Sequence, residues 1–195
     1  MRPIILSICV IFTLTSLRAQ TQQGSWELSF SGNLGVMSAS AETATPTGTI
    51  SSSTESRGYI ALAARPGLYL TEGLVIEPEL FWTAIKNEPP AFSLSANFAY
   101  NFTIPNSRVR PFLLVGYGIG NGIPSFERLI FRSSNKLDIP VLNAGAGLKL
   151  FVTERIALRT EYRFQRYKED LATQYSTKYV SNYHNVFFGF SVFFP

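Results

Sequence analysis

The feature that most constrains this chain is the alternation in its last stretch, 184–194. Every second residue from His184 gives Val186, Phe188, Phe190, Val192 and Phe194, with Asn185, Phe187, Gly189, Ser191 and Phe193 between them. Successive side chains of a β-strand point to opposite sides, so a period of two marks a strand with one apolar face. In water a bare aromatic edge of this kind invites aggregation. The strand therefore needs a neighbour on both sides and an apolar medium outside. A closed barrel in a lipid bilayer supplies both.

The same alternation recurs along the whole chain, giving eight strands at 26–36, 59–70, 74–83, 92–102, 110–119, 141–150, 156–165 and 184–194. One face carries residues such as Trp26, Leu62, Leu80, Phe98, Leu113, Leu148 and Leu158. The other carries Glu27, Arg65, Glu77, Glu79, Arg110, Lys149, Arg159, Glu161 and Arg163 among many Gly, Ser and Asn. Residues 71–73, 105–107 and 153–154 read as tight turns and 86–91 as a short loop. Residues 37–56 hold 11 Ser or Thr together with Pro46 and Gly48, and are expected to form a long flexible loop. Residues 121–137 and 168–182 are the other two long loops. Short and long connections alternating along an even number of strands predict an up-and-down barrel with both termini on the short-turn, periplasmic side.

A soluble ligand carrier of the lipocalin type is the alternative, and it would turn the apolar face inward. Small residues and balanced charges on the other face argue against it, because a narrow bore admits charges only when they are paired. Arg65 is expected to meet Glu77 or Glu79, with Arg159 and Arg163 reaching across the lumen. Pro66 and Pro78 fall within strands, where each removes a ladder donor, and predict bulges or local kinks. Pro111 and Pro140 suit strand starts. A faint internal echo links 67–79 to 147–161, as duplication or as repeated use of one hairpin recipe.

The start of the chain reads as a secretory signal peptide over residues 1–19, with Arg2 ahead of an apolar run and Leu17-Arg18-Ala19 at its end. Residues 20–195 then form a single barrel domain. Cys9, the one cysteine, lies early in the apolar run, away from a lipidation position, and the mature domain has no thiol. Removing Arg2 and Arg18 from 17 basic residues leaves 15 against 13 acidic ones, a net +2 that makes no case for nucleic acid.

These residues carry a resemblance. The mature chain resembles the small eight-stranded outer-membrane β-barrel proteins, the group of the OmpA transmembrane domain and OmpX. The stretch Arg65-Pro66-Gly67-Leu68-Tyr69-Leu70-Thr71-Glu72-Gly73-Leu74 is similar to a strand–turn–strand of that family. The end, with Gly189, Val192 and Phe194, is similar to the signal read by the barrel-insertion machinery, departing from it at Phe187 and Pro195. The resemblance implies a monomer in the outer membrane of a Gram-negative cell. Its implied partners are outer-membrane lipid, lipopolysaccharide and the insertion machinery.

Chemistry is sparse. His184, the single histidine, is the one candidate general base. Some barrels of this group are lipid A deacylases, which makes a lipid-modifying enzyme the alternative function. Their motif would place Ser where Val186 stands, so His184 reads instead as an interfacial residue beside Tyr183. Glu77 and Glu79 resemble a carboxylate pair but face arginines. No catalytic, cofactor-binding or metal-ligating residue is therefore assigned. The expected function is a non-enzymatic outer-membrane scaffold with a lumen filled by side chains, displaying its long loops for binding or envelope-structural roles.

Overall fold

A computed structural model describes residues 22–45, 48–53, 57–84, 90–105, 107–121, 137, 139–172 and 176–195. The expected signal peptide and most of 121–137 lie outside them. The described chain is all β: β1 (Trp26–Thr45), β2 (Gly48–Ser53), β3 (Arg57–Tyr69), β4 (Leu74–Ala84), β5 (Ala91–Asn101), β6 (Val109–Gly120), β7 (Ile139–Phe151), β8 (Ile156–Ala172) and β9 (Ser176–Phe194). β1 pairs antiparallel with both β2 and β3, each strand from β3 to β8 pairs antiparallel with the next, and β1 pairs with β9 to close the sheet. Since Ser40–Thr43 of β1 pair with β2 and β9 at once, β2 lies on the side of β1 that β3 occupies lower down. Together β2 and β3 make one stave, so the barrel has eight.

Following partners around the wall from Trp26 through Leu68, Ile76, Phe98, Val115, Ala144, Phe164 and His184 returns to β1 at Val36, ten residues on. With about 3.3 Å per residue and about 4.8 Å between strands, that stagger tilts the strands by about 40°. Both described chain ends and the short turns share one end of the barrel, where Trp26 pairs with Phe194. The turn after β3 closes on Gly73, whose φ is +89° and whose missing Cβ would stand 2.7 Å from the Asn101 carbonyl oxygen. Glycine meets both demands at no steric cost.

Two expectations need correction. Residues 37–56 and 168–182 are not flexible loops through their length. β1 and β2 run on as a hairpin, with Thr45 facing Gly48, and β8 and β9 continue to Ala172 facing Ser176. β1 also pairs with β9 up to Thr43 facing Thr177. Four strands, in the order β2, β1, β9, β8, thus stand above the barrel rim as one sheet. Hydrogen bonding along the backbone holds them together, and that needs no apolar alternation.

The second correction concerns the prolines. β3 and β4 keep one register throughout, with Ala64 facing Leu80 and Leu68 facing Ile76, so there is no bulge. The three pairs between them form no ladder, and in that register Pro66 stands opposite Pro78. Each ring removes the donor that the other's carbonyl would accept, so both defects coincide in one gap. The β1–β9 ladder is also interrupted, between Gly32 facing Phe188 and Val36 facing His184.

Candidate functional site

Exposure alternates as the sequence does, but with the usual sense of a soluble protein reversed. Leu62 is 52% exposed, Val115 61% and Phe188 67%, whereas Arg65 and Arg163 are fully buried. Charges therefore face a narrow bore and aliphatic and aromatic side chains face outward. Burial of that sense is what a lipid surround demands, and it removes the soluble-carrier reading.

The bore is built in layers. At the turn end Tyr69, Val75, Phe112, Leu114, Phe151 and Phe193 form an apolar cluster. Tyr59, Phe81, Ile139, Tyr167, Tyr183 and Phe187 form another towards the loop end. Between them sit four carboxylates, Glu27, Glu77, Glu79 and Glu161, and four cations, Arg65, Lys149, Arg159 and Arg163, all buried. Glu79 binds both Arg65 and Arg163. Arg159 grips Glu77 through two nitrogens at 2.9 and 3.0 Å and reaches Glu161 at 2.9 Å. Lys149 Nζ lies 2.6 Å from Glu27, which also accepts the Tyr69 hydroxyl at 2.9 Å. The cluster is electrically neutral, the condition under which charges survive burial.

The expected contact of Arg65 with Glu79 is present, and Arg159 and Arg163 do cross the lumen to β4. Arg110, also inward, stands apart from this charge layer. It is half-buried at the turn end, with its guanidinium 5.1 Å from the Phe151 ring centre.

Sequence reasoning missed a chain of amides beside the charges. Asn143 donates to Asn97, Gln165 to Asn143 and Asn185 to Gln165, each at 3.1 Å. Asn33 then donates to Asn185 at 2.6 Å, and the Tyr59 hydroxyl donates to the same oxygen. The signal was available: every one of these residues falls on the inward phase of its strand.

His184 lies on the outer face, exposed, with Nδ1 2.6 Å from the Tyr162 hydroxyl and its ring 5.3 Å from that of Phe164. Tyr183, the neighbour expected from sequence, points into the lumen and is buried. The partner of His184 comes instead from β8. Among the described residues no group of three or more His, Cys, Asp or Glu side chains is placed to hold a metal ion. On the outer face a groove of about 470 Å³ runs over Gly32, lined by Phe30, Leu62, Leu80, Trp82 and Phe188. Its lining is apolar, and it offers packing rather than chemistry.

No protein-family model matches the chain. No curated protein matches it either. Among solved structures, Neisserial surface protein A superposes with a TM-score of 0.57 at 16% identity, over 87% of this chain and 99% of that one. The chain has the fold of a small eight-stranded outer-membrane β-barrel. The barrel is also similar to the outer membrane protein OprG from Pseudomonas aeruginosa, with a TM-score of 0.48, 13% identity and 90% and 98% of the two chains covered. It is similar to the outer membrane enzyme PagL as well, with a TM-score of 0.42, 17% identity and 77% and 97% covered. At such scores these two add nothing about what the barrel does.

Proposed function

We propose that this protein is a monomeric, non-enzymatic scaffold of the outer membrane, with both termini periplasmic and its rim sheet presented outside the cell. The observation that carries the reading is the neutral, side-chain-filled bore. Eight strands enclose a space just wide enough for side chains, and here paired charges and aromatic clusters occupy it. Work is thereby left to the surface: lipid and lipopolysaccharide around the wall, and a binding partner or the envelope itself at the loop end. The aromatic C-terminal strand is the part the insertion machinery would engage.

Membrane fractionation followed by electrophoresis with and without boiling tests this. The folded barrel is expected in the outer-membrane fraction, migrating differently once boiled. Recovery in the soluble fraction, with no such shift, would contradict it.

A further inference from the structure

The outer face carries one feature that a scaffold alone does not need. At a tilt of about 40° a strand climbs about 2.5 Å per residue along the barrel axis. Along β8 the outward positions are Ile156, Leu158, Thr160, Tyr162 and Phe164, followed by Arg166 and Lys168. Ten residues separate Ile156 from Arg166, about 25 Å of height, which is the thickness of the apolar band of such barrels. On β9 the same ten steps lead from Phe194 to His184. Arg166, Lys168 and His184 therefore stand together at the loop-side headgroup level. Among the described residues no other charged side chain faces outward at that height.

Local partners leave the group unsatisfied. Arg166 faces Asn182 across β8 and β9, yet Arg166 Nε and Asn182 Oδ1 are both buried without a hydrogen-bond partner. Among the carboxylates whose side chains are described, none pairs with Arg166 or Lys168, in contrast to the cations of the bore. His184 is held by Tyr162 through Nδ1, which leaves Nε2 uncommitted.

From this we infer that the loop-side rim of β8 and β9 binds the phosphorylated sugar headgroup of a glycolipid in the surrounding leaflet. The inference rests on the outer-membrane reading above. Two cations side by side on one strand face suit a phosphate monoester, which carries a charge of about −1.5 to −2, better than the single charge of a phosphodiester. The exposed His184, with Nε2 uncommitted beside the cations, suits a ligand that offers hydroxyl groups next to its phosphate, as a sugar does. The apolar wall below the cations receives the acyl chains.

The test reconstitutes the full-length mature protein in nanodiscs of zwitterionic lipid. These are doped in turn with lipid A, with lipid A stripped of its phosphates, and with phosphatidylglycerol, and the lipid retained per protein is measured by native mass spectrometry. Retention of lipid A about tenfold above the dephosphorylated form is expected, as for the loss of a charge-assisted contact. That preference should vanish in Arg166→Gln/Lys168→Gln and persist in Arg108→Gln, whose cation lies at the turn end. Equal retention of both forms of lipid A, or a preference unchanged in the double variant, overturns the site. Phosphatidylglycerol retained as well as lipid A overturns the choice of a sugar monoester. The boiling shift is read on every sample: an unmodified protein that never folds into the bilayer overturns the membrane reading itself, whereas a folded one without preference overturns only the site.

Discussion

Glu79 bridges two of the buried guanidiniums, since it accepts from Arg65 on the neighbouring strand and from Arg163 across the lumen. Glu79→Ala would leave two buried guanidiniums with one carboxylate fewer between them. A loss of roughly 3–5 kcal/mol is expected, from the cost of an uncompensated buried charge, and reversible unfolding in urea would measure it. A loss below about 1 kcal/mol would mean that water reaches these charges. Gly189 shows the opposite constraint, one of space. A Cβ there would lie against the Phe30 carbonyl oxygen in the closing β1–β9 ladder. Gly189→Ala should destabilise by about 1–3 kcal/mol, as overpacking does, and slow the appearance of the fast-migrating folded band. A variant that folds at the normal rate and stability would show the seam to be looser than drawn.

Elements were legible in the sequence to the extent that their two faces differ. The eight staves, and the inward phase of Glu27, Arg65, Glu77, Glu79, Lys149, Arg159, Glu161 and Arg163, follow from period-two alternation alone. What alternation does not encode was missed. β2 and the upper parts of β1, β8 and β9 hold together through backbone pairing, and a Ser- and Thr-rich stretch can pair as readily as it can loop. The Tyr162–His184 bond was missed because it depends on the β8–β9 register, which puts Phe164 opposite His184 and Tyr162 one outward step away. The prolines were read one at a time, each as a distortion, when only their opposition explains the straight register. Where the face assignment is secure, it predicts depth. Leu148 on β7 is 45% exposed and points into the apolar band. Leu148→Arg should cost roughly 2–4 kcal/mol of membrane stability, while Gln23→Arg, at an exposed position outside β1, should cost little. Equal costs at the two positions in a refolding titration would refute the assignment of faces.

For the whole molecule the central expectation is electrical silence. Side chains from β1, β3, β4, β7 and β8 meet in the bore, so purified protein in a planar bilayer should show no steady conductance. Stable ion-selective steps from the unmodified protein would mean an open lumen and make it a diffusion pore. The two interruptions in the wall have a mechanical consequence. A bilayer squeezes an embedded tube from all sides, and the tube resists collapse through the bonds that run around its circumference. Here that circumferential belt lacks its backbone links at two places, at the opposed prolines and midway up the β1–β9 closure. Both are spanned from inside, the first by the ion pair of Arg65 with Glu79 and the second by the amide pair of Asn33 with Asn185. The polar filling therefore serves as internal bracing as well as a stopper. Loosening it would let the cross-section go out of round under lateral pressure, at the two lines where the wall is already weakest.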